Sequence, residues 1–242
     1  MTDYFDERVA STYDQDEAEM FDAEVLGKTV DLLADLAGDR RALELAIGTG
    51  RVALPLSARG VPVSGIELSE AMIRRLRAKP GAESIDVALG DMTTTRVAGQ
   101  FGLVYLVFNT IGNLLTQDDQ VACFENAAAH LVPAGCFVVE VGVPDLQRLP
   151  PGEVFRVFDH TDAHLGIDEY DVATQRMWSH HYTLRGSAYD RGSTPFRYVW
   201  PSELDLMARI AGLRLRARWS DWERRPFTAE STSHVSVWER TA

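Results

Sequence analysis

Cysteine, basic charge and long apolar runs are all scarce in this chain, and each scarcity excludes a class of protein. The 242 residues hold two cysteines, Cys123 and Cys136, both in apolar contexts. Such a pair reads as buried free thiols rather than a disulfide framework, which points to the cytoplasm. No apolar run approaches the roughly 18 residues needed to cross a membrane. The N-terminal Met-Thr-Asp-Tyr-Phe-Asp-Glu is acidic, the opposite of a signal or transit peptide. Lysine and arginine number 24 against 36 acids, for a net charge of −12. The acids crowd into the first 40 residues, and a field of that sign disfavours nucleic acid as a partner. A hydrophobic fraction of 45% is enough for a sizeable core, and the length suits an α/β domain with an insertion.

What the chain does have is centred on residues 41–53, Arg-Ala-Leu-Glu-Leu-Ala-Ile-Gly-Thr-Gly-Arg-Val-Ala. A short apolar run that breaks at a glycine pair predicts a buried parallel strand entering a loop. The apolar residues of 51–59 then predict a helix packed on a sheet. Strand, glycine loop and helix together offer backbone N–H groups to a ligand, and the glycines let a nucleotide approach the main chain.

Upstream, 2–36 predicts two or three helices, the last over about 22–37 and closed by Gly38. Downstream, strands are predicted at 60–68, 85–89, 101–108 and 136–143. A helix capped by Ser69 is expected to run to about Lys79, and another to span 117–131, with Pro133-Ala134-Gly135 as a turn. This alternation implies a doubly wound, mostly parallel α/β sheet. From 145 to 198 the apolar period changes to two, as in Met-Trp-Ser-His-His-Tyr-Thr-Leu at 177–184, which predicts an inserted antiparallel subdomain. A helix at 201–211 and strands at 213–221 and 233–240 then complete the core sheet as a hairpin. Three segments follow: 1–144 as N-terminal helices and ligand-binding core, 145–198 as a lid for substrate or dimer contacts, and 199–242 as helix and hairpin.

Open parallel sheets bind ligands at the carboxyl ends of their strands. There the sequence places Gly48 and Gly50 after strand one, Glu67 after strand two, Asp91 after strand three and Asn109 after strand four, with Glu44 on strand one. An acid ending strand two can accept both ribose hydroxyls. One after strand three can accept from an adenine amino group, with Met92 as the neighbouring wall. The Gly48–Ala53 stretch also satisfies a dinucleotide fingerprint, so a nicotinamide-dependent oxidoreductase is the competing reading. The long helical lead-in, the Gly-Asp-Met turn after strand three and the terminal hairpin weigh against it.

The stretches Glu-Leu-Ala-Ile-Gly-Thr-Gly at 44–50, Gly-Ile-Glu-Leu-Ser at 65–69, Ala-Leu-Gly-Asp-Met at 88–92 and Leu-Val-Pro-Ala-Gly at 131–135 resemble the successive motifs of class I S-adenosylmethionine-dependent methyltransferases. Residues 198–212 resemble the helix before the terminal hairpin of that family, and the chain resembles its small-molecule branch, which includes sugar N-methyltransferases of natural-product pathways. The resemblance implies a seven-stranded Rossmann-like sheet with its last strand antiparallel, and S-adenosylmethionine across the strand ends. It implies a small-molecule acceptor with an N or O nucleophile and in-line displacement. Glu44 would lie near the methionine amino group, Gly48 and Gly50 beneath the cofactor, Glu67 on the ribose, and Asp91 and Met92 beside the adenine. Tyr13 would close over the methionine end. Ala46, Leu68, Met72, Phe108 and Asn109 complete the implied contacts. Ala46 replaces the usual first glycine, a change tolerable if its φ is negative. A non-catalytic S-adenosylmethionine-binding protein is a further alternative.

Bland roles compete for several of these residues: core packing for Tyr13, a turn for Asn109, an arginine partner for Glu44. His160 and His164 stand among acids, but no cysteines join them and no metal site is expected. His180 and His181 should point to opposite faces of a strand, and one of them is the candidate general base for an acceptor that must lose a proton. Arg156, Arg176, Arg185, Arg191 and Arg197 could hold an anionic substrate or merely balance local acids. A homodimer through the insertion is a further expectation.

Overall fold

The computed structural model describes residues 5–16, 20 and 22–241. Two helices come first, α1 (Glu7–Asp16) and α2 (Ala23–Ala37). Asp22 Oδ1 caps α2 by accepting from Glu24 N–H at 2.9 Å, and Gly38 ends it at φ +59°. The chain then alternates through β1 (Ala42–Leu45), α3 (Ala53–Ala58), β2 (Val63–Glu67), α4 (Glu70–Arg77), β3 (Asp86–Leu89), β4 (Phe101–Leu106), α5 (Gln117–His130) and β5 (Leu131–Gly142). Four antiparallel strands follow: β6 (Phe155–His160), β7 (His164–Asp171), β8 (Arg176–Arg185) and β9 (Ala188–Arg197). Helix α6 (Pro201–Ile210) and strands β10 (Leu213–Trp219) and β11 (Ser233–Arg240) complete the described chain.

The main sheet has seven strands in the order β10-β11-β5-β4-β1-β2-β3. The β1 to β5 pairings are parallel, while β11 runs antiparallel to both of its neighbours. Both faces are covered, as continuous apolar strands require. On one face Leu43, Leu45, Val104, Phe137 and Trp238 pack with Phe124 of α5 and Leu204 and Met207 of α6. On the other, Ala42, Leu103, Tyr105 and Val138 pack with Val30 and Leu33 of α2 and Leu56 of α3. The Phe124 ring meets Phe137 and Trp238 edge-on, with centroids 4.9 and 5.2 Å apart, and truncating such a buried ring costs about 3–5 kcal/mol.

Several strands are shorter than expected, β2 starting at Val63 and β4 ending at Leu106, and two further boundaries differ. The helix after the glycine loop spans only six residues, because the chain is still turning at Gly50 (φ +80°). Strand β5 starts at Leu131 rather than 136. The Pro133-Ala134-Gly135 segment is a bulge within it, with Ala134 at φ +59° and a register shift opposite Phe101–Leu103, not a turn before it.

Strands β6 to β9 form a separate meander in chain order. Gly166 of β7 makes it possible to lay Phe158 over the sheet, since a Cβ there would come within 2.4 Å of the ring. The meander is rooted by Arg197, which is 5% exposed. Its guanidinium donates to Gln120 Oε1 at 2.5 Å and Glu203 Oε1 at 2.7 Å, tying β9 to α5 and α6. Removing one partner of a buried pair of this kind costs about 3–5 kcal/mol.

Candidate functional site at the carboxyl edge of the sheet

The glycine loop is held by the acid of the neighbouring strand. Glu67, 6% exposed, accepts from Gly48 N–H at 2.8 Å through Oε2 and from Ser69 N–H at 2.9 Å through Oε1. Its carboxylate therefore bridges the loop and the start of α4, and carboxylate oxygens have capacity for further donors such as ribose hydroxyls. The two glycines serve different ends. A Cβ on Gly48 would meet nothing within 4 Å, so this bend borders open space where a ligand can approach the backbone. A Cβ on Gly50 would strike Leu76 Cδ1 at 2.3 Å, so Gly50 is needed for packing. Ala46 departs from expectation: its φ is +52°, not negative, so a methyl-bearing residue occupies a left-handed position that costs about 1–2 kcal/mol.

Glu44 lies under this loop, 3% exposed, and accepts from Tyr105 Oη at 3.0 Å. Burial drives its pKa up to about 8, against the hydrogen bond from Tyr105 and the pull of Arg51. Its partner is thus a tyrosine rather than an arginine. Leu68 separates Glu67 from Ser69, the N-cap of α4, whose Oγ accepts from Met72 N–H at 3.3 Å.

At the next strand end, Asp91 Oδ1 accepts from both N–H and Oγ of Thr93, at 2.8 and 2.7 Å, which shapes the Gly-Asp-Met turn beside Glu67. Met92 is 6% exposed. Beyond β4, Phe108 and Asn109 are consecutive left-handed residues, at φ +60° and +58°. Strain of this kind, about 1–3 kcal/mol per residue, collects at ligand sites and must be over-determined by its surroundings. Here Phe108 N–H donates to Glu140 Oε2 at 2.7 Å, and Asn109 Oδ1 accepts from Gly142 N–H at 2.6 Å. Asn109 so fills the turn role that competed with ligand contact. Burial raises the pKa of Glu140, and the Arg51 guanidinium lies 5.1 Å from the Phe108 ring centroid.

Helix α1 covers the loop. Tyr13 and Phe5 meet edge-on at 6.1 Å and pack with Ala10, Ala71 and Met72. Asp14 accepts from Thr49 Oγ1 at 2.6 Å and pairs with Lys79 Nζ at 2.5 Å, while Lys79 donates to Thr49 O at 2.9 Å.

The histidines divide as alternation requires. His180, 8% exposed, has Nδ1 at 2.8 Å from Ser193 Oγ and Nε2 at 3.1 Å from Glu169. His181 lies on the opposite face beside His164, with Phe158 edge-on at 5.4 Å. Among the described residues no group of three His, Cys, Asp or Glu side chains could hold a metal ion. Of the arginines, Arg197 is the buried anchor of the meander and Arg156 pairs with Asp145 at 2.7 Å.

Sequence reasoning missed Glu140, Tyr105 as the Glu44 partner, and the Asp14–Thr49–Lys79 clasp. Glu140 alone carried a signal, as an acid inside the apolar run Phe-Val-Val-Glu-Val.

Comparison with known proteins gives one consistent picture. The methyltransferase domain family matches residues 42–135. The chain is similar to the CcbJ methyltransferase from Streptomyces caelestis, at 38% identity over 90% of each chain with a TM-score of 0.81. It is 31% identical to the dTDP-3-amino-3,4,6-trideoxy-alpha-D-glucopyranose N,N-dimethyltransferase of Streptomyces venezuelae, over 53% of this chain and 58% of that one. It shares its fold with S-adenosylmethionine-bound CalS10, an amino pentose methyltransferase from Micromonospora echinaspora, at 23% identity, a TM-score of 0.66 and coverage of 90% and 91%.

Proposed function

Because the chain belongs to the S-adenosylmethionine-dependent methyltransferase family and transfers a methyl group to a nucleophile of a small molecule, we propose that this nucleophile is an amine. The carrying observation is the acid at the transfer edge. Glu140, near the end of β5, turns its carboxyl to the strained Phe108-Asn109 turn, where the acceptor would meet the methyl group, and its oxygens have capacity to accept from an amine N–H and orient that nitrogen. The amino-sugar substrates named for the Streptomyces venezuelae relative and for CalS10 agree with this.

When bound, S-adenosylmethionine supplies a methyl group already activated on a sulfonium, so the protein contributes mainly positioning. The open space before Gly48 and the buried acid beside it fit that ligand. We assign Glu67 to the ribose, Asp91 and Met92 to the adenine, Gly48 and Gly50 to the backbone approach, and Glu44 with Tyr13 to the methionine end. Ala46, Leu68 and Met72 line the pocket, and Phe108 and Asn109 shape the transfer edge. Of the two histidines, His181 is the exposed one and the candidate to meet an acceptor, while His180 is 8% exposed.

We further assign 1–144 and 199–242 to the cofactor-binding core and 145–198 to acceptor and dimer contacts. No helix of the described residues is long and apolar enough to cross a membrane, and Cys123 and Cys136 are free and buried, which supports a cytoplasmic site of action.

The test is calorimetric binding of S-adenosylhomocysteine and NAD, followed by mass-spectrometric detection of methyl transfer to a panel of amines and alcohols. We expect micromolar binding of the first ligand, none of NAD, a roughly tenfold loss in Asp91→Ala, and methylation of amines. Methylation confined to alcohols overturns the amine assignment, and an Asp91→Ala variant that binds normally removes Asp91 from the site.

A further inference from the structure

Arg176, at the start of β8, is a half-buried cation that the fold leaves without a partner. Arg156 pairs with Asp145 and Arg197 with Glu203. Among the described residues the Arg176 guanidinium has neither a hydrogen-bond acceptor nor an ion pair, and its Nε is buried. It lies over Trp178, with Cζ 5.7 Å from the ring centroid. Stacking of this kind uses the flat face of the guanidinium and leaves its in-plane N–H groups to be met by something else. Buried polar groups are nearly always paired, so an arginine in this state marks a missing acceptor.

Beside it lies a cleft of about 510 Å³, in the range of small-molecule sites. One wall is the segment 115–117 that leads into α5, and the other is the turn 173–175 between β7 and β8, with Arg176 and Arg197 completing the lining. The turn is firmly built. Gln175 sits at φ +58°, a left-handed position that a residue other than glycine keeps only when its surroundings hold it. Its side chain donates to Tyr198 O at 3.1 Å and Glu203 Oε2 at 2.9 Å, and accepts from Arg197 at 3.3 Å. Thr174 Oγ1 donates to Asp171 Oδ2 at 2.5 Å. On the facing wall Thr116 Oγ1 donates to Asp119 at 2.6 Å and Gln117 Nε2 to Glu203 at 2.7 Å. Each polar side chain of the lining thus has a partner within the fold, except that of Arg176.

The cleft adjoins the transfer edge. Leu115 is six residues past Asn109, and four of the six form the 3₁₀ turn Thr110–Asn113. With a rise of about 2 Å per residue in that turn, Leu115 lies within about 17 Å of Asn109. Arg197 O is 3.5 Å from the point where a Cβ on Gly112 of the same turn would stand.

Charge decides which group enters. Arg197 is balanced by Glu203, and the other acids around the cleft are Asp171, opposite Arg176 on β7, and Asp118 and Asp119 in the first turn of α5. A phosphate dianion would meet those carboxylates with twice the charge of a monoanion. A carboxylate matches the one unpaired cation, and its two oxygens match the Nη pair, the end of the guanidinium that the burial of Nε leaves within reach.

We propose that this cleft takes a carboxylate group of the acceptor, held end-on by the two Nη groups of Arg176. The proposal rests on the small-molecule acceptor and not on its nucleophile being an amine. A single ion pair at a half-exposed site binds weakly. The carboxylate therefore anchors one end of a larger ligand and selects among acceptors, while the nucleophile lies at the Phe108-Asn109 edge.

The first test needs no turnover. The full chain, labelled with ¹⁵N-arginine and saturated with S-adenosylhomocysteine, is titrated with sodium acetate and, separately, with sodium phosphate at constant ionic strength. The Arg176 Nε–H signal is assigned by its loss in Arg176→Gln. We expect it to shift with a millimolar midpoint for acetate and a weaker one for phosphate, while the exposed Arg185 does not move. An Arg176 signal that moves no more than that of Arg185 overturns the proposal, and a tighter midpoint for phosphate overturns the choice of a carboxylate. The second test compares KM for a methylated acceptor with KM for the same molecule carrying a carboxylate remote from its nucleophile. We expect KM to be about tenfold lower for the acid, with this advantage lost in Arg176→Gln and partly kept in Arg176→Lys. No advantage in the parent, or one that survives in Arg176→Gln, overturns the assignment to the acceptor. Unchanged S-adenosylhomocysteine affinity shows that the variants are folded. Methylation confined to alcohols would overturn the amine reading and leave the cleft standing, and a chain that does not bind S-adenosylhomocysteine would contradict the cofactor assignment instead.

Discussion

Glu44 is a carboxyl group that folding keeps protonated. Its pKa moves from an ordinary 4.5 to about 8, chiefly through burial, although Tyr105 donates to it. Between those two values the folded chain binds more protons at this site than the unfolded chain. Its contribution to stability is therefore fully present below about pH 4.5 and is lost as pH rises through 8. Urea midpoints should fall across that window, with a slope of up to about 1.4 kcal/mol per pH unit from this residue. Glu44→Gln should flatten the dependence, and a variant whose midpoints still track the parent's would assign the effect elsewhere. Residue-level strain was the least legible part of the sequence. Nothing in Leu-Ala-Ile announces that Ala46 sits at φ +52°, because Ala46 is forced there by the two segments it joins rather than by its own preference.

At the scale of elements, α1 works as a cover fastened to the loop it shelters. Asp14 holds Thr49 and Lys79, and Ser69 Oγ donates to Phe5 O at 2.5 Å. The outer pairs from Glu7 to Arg74 and Arg75 are solvent-exposed and worth little each. Asp14→Ala should raise the S-adenosylhomocysteine off-rate about tenfold in stopped-flow, while Glu7→Ala should change it less than twofold. Equal off-rates in Asp14→Ala and the parent would mean that α1 does not gate the site. The order and type of the elements were readable because each apolar run and cap signal is local: Ser69 before Met72, Gly38 after Ala37, the period of two in 177–184. The clasp was not readable. Asp14 is one acid in a crowded acidic segment, and its partners lie 35 and 65 residues away, so only the fold singles it out.

At the scale of the whole molecule, the exposed strand edges are treated unequally. Strand β10 carries the exposed Arg214 and Arg216, which discourages pairing, while Arg218 turns inward to Asp205. Strand β6 instead exposes Phe155 and Val157, at 56% and 55%. We assign the expected homodimer to this edge. Sedimentation should show a dimer that Val157→Lys converts to monomer without loss of S-adenosylhomocysteine binding. A parent chain that sediments as a monomer at micromolar concentration would remove that assignment.

The position of β11 gives the sheet a place in time as well as in space. It fills the slot between β5 and β10, yet it follows every other described strand in the chain. During synthesis, the backbone edge of β5 and one wall of the Phe124–Phe137–Trp238 cluster stay uncovered until Trp238 has left the ribosome tunnel. The glycine loop, made much earlier, belongs to a half-closed sheet for all of that interval. Such an open apolar edge is what chaperones recognise, so the growing chain should be their client until β11 arrives.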